Sequence, residues 1–317
     1  MSAASLVEPR GARSSRKQQT RRPTRPANRV KNIMKLSIFV FASLAALAAD
    51  MTDLDKRRLL AQSLLQREDY AAALIEAKAI QKERPDDIQA YQLTASAQMG
   101  LGDYDAAEKS IQWMLDLRIG KADANGWLLV ARFREVTGDI EGALDAVNLA
   151  YARLESGEQK QGPELLAYAG HLHLLVGHVS LAEQAVGSSP SVTLARIRLK
   201  QGRREEAVQI LQGMNDNGAR FLMAELTGNY SGIEPNTIDY VLYLAGTKGN
   251  AKKALEHANQ LAAKRRDVFT LDALAMAQFA NGDTAAARGT MRRVVAIGSR
   301  DPRILAHLAQ IGIESAQ

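Results

Sequence analysis

The residues best placed to do chemistry are the histidines of His171-Leu172-His173 together with His178. Three imidazoles within eight residues could ligate a metal. Side chains two apart on a helix point away from one another, however. His178 falls in a turn opened by Gly177, and the next acid in the sequence is Glu183. The cluster therefore reads as histidines on a helix surface or groove, and no metal site is expected. The chain has no cysteine, which excludes disulfides, thiolate nucleophiles, zinc–thiolate sites and iron–sulfur clusters. The GxSxG and HExxH patterns are absent, and every glycine-rich stretch is a turn between helical segments. Trp113 and Trp127 could form a ligand platform, but Trp127 sits where a helix buries a bulky residue. Lys264-Arg265-Arg266 lies near a helix end, where positive charge suits the dipole. No catalytic constellation, metal or cofactor emerges, so the chain is read as a non-enzyme.

What positions these residues is a recurring helical pattern. Aromatics make up 5% of the 317 residues while Ala and Leu abound, a composition that suits stacked helices better than a β-sandwich. From Asp50 onward, a helical segment ends in Gly and a polar residue, and the next helix carries an Ala in its first turn. The instances run EDYAAA, GDYDAA, GDIEGA, GHVSLA, GRREEA, GNAKKA and GDTAAA, and close on Ala73, Ala107, Ala143, Ala182, Ala207, Ala254 and Ala287. The intervals between those alanines are 34, 36, 39, 25, 47 and 33 residues. Glycine lets the chain leave a helix in a left-handed conformation. The following Asp or Asn caps the second helix. The small Ala allows the two helices to cross closely, and apolar residues such as Ile111, Met114 and Leu115 follow at helical spacing.

The spacing and these residues resemble the tetratricopeptide repeat family, whose unit is a 34-residue helix–turn–helix. Residues 88–121 match with Tyr91, Ala95, Gly102-Asp103-Tyr104 and Ala107. Residues 54–87 match with Ala61, Asp69-Tyr70, Ala73 and Pro85, but Glu68 replaces the turn glycine. The third unit offers Trp127, Ala131, Gly138-Asp139 and Ala143. The last, 268–301, offers Leu271, Ala275, Gly282-Asp283 and Ala287. The resemblance weakens between residues 188 and 235, where TGNYSGIEP (Thr227 to Pro235) interrupts the pattern and residues 218–230 read as a unit that lost its second helix. The resemblance implies an all-α, right-handed α-solenoid over residues 50–317, with about 7–8 repeats and a C-terminal capping helix after Pro302.

The N-terminal fifty residues differ. Residues 1–33 are rich in Arg, Pro and Ser, and read as a basic disordered leader or an over-extended start. Met34-Lys35 precedes the apolar run Leu36 to Ala49, and Ala46-Leu47-Ala48 fits a small-x-small cleavage site. Residues 34–49 therefore read as a secretory signal peptide, or as an N-terminal anchor if uncleaved. Through Lys35 the chain holds ten basic residues and one acid, which leaves 31 basic and 34 acidic residues beyond it. The body is mildly acidic, so nucleic acid is excluded as its partner despite the overall charge of +6.

In a solenoid of this kind the first helix of each pair lines the concave face, where the resemblance places peptide or protein partners. The residues expected to face inward are Arg58, Gln62, Gln92, Ser96, Met99, Asn125, Leu128, Arg132, His171, Leu174, Arg196, Asp239, Tyr243, Asp272, Met276 and Phe279. The paired Lys and Asn residues with which some members grip a terminal carboxylate are not reproduced. The expected role is a non-catalytic interaction scaffold of the bacterial cell envelope, exported to the periplasm or secreted, that captures a protein segment in its groove. Two alternatives use the same scaffold: an envelope polysaccharide or cell-wall assembly and export factor, and a membrane-anchored scaffold with a cytoplasmic basic leader.

Overall fold

A computed structural model describes residues 52–117, 123–154, 162–231, 233, 235 and 237–313. The basic leader and the apolar run lie outside the described residues. Sixteen helices account for the regular structure of the described residues. The fold is an all-α helical repeat solenoid. Five hairpins come first: α1 (Asp53–Gln66) with α2 (Tyr70–Glu83), α3 (Ile88–Gly100) with α4 (Tyr104–Leu117), α5 (Ala124–Val136) with α6 (Ile140–Ala152), α7 (Gly162–Leu175) with α8 (Val179–Val186), and α9 (Val192–Lys200) with α10 (Arg204–Gln212). α11 (Asn217–Thr227) follows, and the chain then runs without a further helix to α12 (Ile238–Gly246). Two hairpins remain, α12 with α13 (Ala251–Lys264) and α14 (Val268–Ala280) with α15 (Thr284–Ile297), and α16 (Pro302–Ile311) closes the array.

The alanines that close the sequence motif explain why the hairpins pack. Ala73, Ala107, Ala143, Ala182, Ala207, Ala254 and Ala287 are all 0% exposed. Each sits where its helix crosses the one before it, and a methyl group is all the space admits. The turn acids act as expected of N-caps: Asp69, Asp103, Asp139 and Asp283 accept backbone N–H bonds from Ala72, Ala106, Gly142 and Ala286. Where the motif carries His178, Arg203 or Asn250 instead, no side-chain cap forms. Helices α8 and α10 are also the shorter ones, at 8 and 9 residues.

First helices contact successive first helices along the array: α1 with α3 and α3 with α5, α7 with α9 and α9 with α11, α12 with α14 and α14 with α16. They form the inner layer, and the second helices form the outer one. Among the described residues α11 has no outer partner. Its seam to α12 is bridged by Tyr230, whose ring stacks on Tyr243 at 3.7 Å between centroids and meets Phe221 edge-on at 6.2 Å.

The array does not stay open. The last repeats return to the turns of the first three. Glu68, in the first turn, pairs with Arg265. Beside the second turn, the Arg266 N–H donates to the Gly100 carbonyl at 2.8 Å, and the Val268 N–H donates to the Tyr104 hydroxyl at 3.0 Å. At the third, the backbones of Gly138 and Gly298 pass so closely that a side chain on Gly138 would run into the Gly298 carbonyl. One apolar cluster ties both regions together. It buries Tyr104 and Val136 with Val268, Leu271, Met276 and Met291, and Met99 and Phe133 pack against it.

Candidate binding cavity

The inner face of the later repeats lines a cavity of about 800 Å³. Its walls come from α7, α9, α11, α12 and α16. Leu174, Leu175, Leu199, Leu222 and Leu242 supply apolar surface, and Phe221, Tyr230 and Tyr243 supply aromatic surface. Tyr230 also borders a second cavity of about 420 Å³ with Ile233, Pro235, Tyr240 and Lys253, so its ring stands between the two.

Charged groups face this space in an uneven arrangement. Arg303 leans towards Asp301 at 3.5 Å and Asp239 at 3.9 Å. Arg196, from the middle of α9, has no hydrogen-bond or ion-pair partner among the described residues, and its Nε is buried. Burial, and next the Arg303 charge, lower the pKa of Arg196. Burial likewise raises the carboxyls of Glu225 and Asp239 above their ordinary range, against the pull of Arg196 and Arg303. At the cavity edge His171 contacts Glu135 at 3.0 Å. His307 meets both carboxylate oxygens of Asp272 at 2.9 Å, and Asp272 is almost wholly buried.

The histidines of the sequence cluster are not gathered. His171 turns to Glu135, while the His173 and His178 rings lie 6.3 Å apart. Among the described residues no group of three or more His, Asp or Glu side chains is placed to hold a metal ion. Trp127 packs against the core cluster of the third repeat. Trp113 is 58% exposed and stacks on Tyr91 at 6.4 Å.

Of the residues expected in a groove, His171, Leu174, Arg196 and Tyr243 line the cavity. Asp239 reaches it through Arg303. The others lie outside this cavity. Arg58 is held by Asp55 and Asp87, each at 2.7 Å, and so braces the first two repeats. Gln92 donates to Asp123, the N-cap of α5, at 2.8 Å, and Ser96 donates to the Gln92 carbonyl. Gln62, Asn125 and Arg132 are exposed on α1 and α5, away from the cavity, and Leu128 packs on a core cluster. Met99, Met276 and Phe279 belong to the closing cluster, and Asp272 is buried against His307. Closure takes up Met99, Met276 and Phe279, while Arg58, Gln92 and Ser96 are held by bonds within the first three repeats.

Phe221, Glu225, Tyr230, Arg303 and His307 were not foreseen. Phe221 and Glu225 stand four apart on α11, one face of a helix capped by Asp216. That spacing was readable, but it lies in the stretch where the repeat pattern dissolves. Arg303 and His307 have the same spacing on α16, which the pattern treats only as a cap.

No protein-family model matches the chain, and no curated protein matches it. Among solved structures it is similar to a chain of the APC/C hetero-tetramer Cut9–Hcn1, at 14% identity and a TM-score of 0.48, covering 84% of this chain and 50% of that one. It thus spans half the length of that relative. It is similar to a tetratricopeptide repeat protein from Parabacteroides merdae, at 14% identity and a TM-score of 0.42, over 81% of this chain and 98% of that one. It is also similar to the C-terminal part of a TPR repeat-containing protein from Cytophaga hutchinsonii, at 16% identity and a TM-score of 0.40, over 79% and 99%. The fold assignment rests on the helix pairing and the buried alanines rather than on these likenesses.

Proposed function

We propose that the protein is a non-catalytic interaction scaffold that captures a segment of a partner protein inside its closed helical array. The observation that carries this reading is the cavity itself. It is built from five helices, is mostly apolar, and holds a few convergent charged groups, the make-up of a recognition site. A partner would draw affinity from the leucine and aromatic walls and orientation from Arg196, Arg303 and His307. The N-terminal sequence supports export, so the partner is sought in a bacterial envelope, with the mature chain starting near Ala49.

Gly246 offers the test. It lines the cavity, and a Cβ added there meets no atom within 4 Å. Gly246→Phe should fill the space without disturbing the helices. Gly289, on outer helix α15, is equally free of neighbours, so Gly289→Phe is the control. The full chain and both variants are used to capture partners from envelope extract. Capture lost in Gly246→Phe and kept in Gly289→Phe supports the cavity. Capture that survives Gly246→Phe refutes it. Mass spectrometry of the bait reads its N-terminus in the same experiment, and an intact apolar run would favour an anchored scaffold.

A further inference from the structure

The cavity wall restricts what kind of segment it can hold. An extended peptide brings unpaired N–H and C=O groups at every residue, and burying them without partners is costly. The side-chain amides of Asn and Gln pair with both groups side by side, and a free Tyr hydroxyl can donate and accept through a single oxygen. Among the described residues that wall the cavity there is no Asn or Gln. The Thr247 hydroxyl is already committed to the Tyr243 carbonyl at 2.8 Å, and the Tyr230 and Tyr243 hydroxyls can serve only a residue or two of a main chain. The amides that could hold a main chain, Gln62, Gln92 and Asn125, lie on α1, α3 and α5, away from this space. An α-helix satisfies its own backbone and asks the wall only for side-chain contacts. A helix about 10 Å across that rises 5.4 Å per turn occupies roughly 420 Å³ per turn. The cavity of about 800 Å³ is thus about the bulk of two such turns, enough room for one face of a short helix.

The charge of the occupant follows from Arg196. Asp301 and Asp239 lean towards Arg303. Glu225 lies in the field of Arg196 but forms no ion pair with it. Arg196 is left facing the cavity with its fork of donors unused, a geometry that fits a carboxylate bidentately. Phe221 and Tyr243 offer apolar surface within the same cavity.

We propose that the cavity receives one face of a short partner α-helix, with an Asp or Glu side chain of that helix docked on Arg196 and apolar neighbours against Phe221 and Tyr243. This rests on the scaffold reading above and names its ligand. The test selects binders of the full chain from two displayed libraries, both fused so that no terminal carboxylate is free. One randomises a single face of a helical scaffold protein, and the other presents linear peptides. The expected result is enrichment from the helical library of clones bearing Asp or Glu on the randomised face. Changing that acid to its amide, or Arg196→Gln in the protein, should each weaken binding about tenfold or more, with no further loss when both are combined. Arg196→Lys, which keeps the charge and loses the fork, should fall between. Far-UV circular dichroism checks that the variants fold. Dominant enrichment of linear peptides, or of helices without an acid, overturns this inference while leaving cavity capture standing, provided Gly246→Phe blocks those clones. Clones indifferent to Gly246→Phe, or no enrichment from either library, overturn both.

Discussion

Gly102 and Gly202 occupy the same place in two repeats, yet the structure assigns them different duties. Both have positive φ, +76° in each case. Alanine at either position pays the left-handed penalty of about 1–2 kcal/mol. Around Gly202 nothing lies within 4 Å of the space a Cβ would take. At Gly102 that Cβ would run into the backbone carbonyl of Arg266, which cannot rotate away as a side chain could. The segment 265–268 would have to retreat, and the Arg266 N–H to Gly100 and Val268 N–H to Tyr104 bonds would go with it. Val268 is 0% exposed, so its N–H would be stranded, at about 1–3 kcal/mol, and the Arg266 bond adds about 1 kcal/mol. Gly102→Ala should therefore cost about 3–6 kcal/mol against about 1–2 kcal/mol for Gly202→Ala. Urea denaturation followed by circular dichroism measures both, and hydrogen exchange at the Val268 amide reports whether closure has opened. Equal losses of stability, with the Val268 amide equally protected in both variants, would refute the closed array.

Four further perturbations probe the same framework. Ala107 is fully buried at a hairpin crossing, so Ala107→Leu should overpack it by about 1–3 kcal/mol, and an unchanged melting curve would remove the repeat register. Tyr104→Phe deletes the hydroxyl that accepts from the buried Val268 N–H, and should cost about 1–3 kcal/mol in urea while speeding exchange of that amide. Burial raises the Asp239 carboxyl pKa against the pull of Arg303 and Arg196, so its contribution to stability is full below the unfolded pKa of about 3.9 and is lost as pH rises through the higher folded value. Asp239→Asn should flatten the fall of Tm with rising pH in that window, and an unaltered slope would count against the buried site. Glu68→Gly removes a non-glycine residue held at φ 59°, a relief of about 1–2 kcal/mol, and gives up an ion pair to Arg265 whose Glu68 side chain is 40% exposed and which is worth about 0–1 kcal/mol after solvent screening. Denaturation should find Glu68→Gly neutral or stabilising, and a loss above about 2 kcal/mol would show the ion pair outweighing the strain.

The parts of this fold that were legible in the sequence are those set by local physics. A turn glycine, a capping acid and a small crossing residue recur because every hairpin solves the same problem, and the buried alanines fall where that recurrence puts them. Closure was not legible, because it joins residues far apart in the chain: Glu68 to Arg265, Gly102 to Arg266, Gly138 to Gly298. No period relates them. The candidate site inherits both properties. Arg196 and Tyr243 were found because they stand on inner helices at the expected phase, whereas Met276 and Phe279, at the same phase, were taken up by closure. Phe221 and Tyr230 were passed over because they occupy the stretch that breaks the repeat.

One departure from the pattern legible in the sequence is Glu68, in the seat of a turn glycine. A repeat read in isolation treats that residue as a defect, since an L side chain at φ 59° is strained. In the closed array its carboxylate is the group that meets Arg265, and the Arg265 guanidinium in turn packs over the Tyr70 ring and bonds Asp267 at 2.6 Å. A glycine would satisfy the turn and offer Arg265 nothing. The locally unfavourable residue thus sits where the two ends of the array meet, while at the second and third turns the consensus glycines Gly102 and Gly138 make the approach.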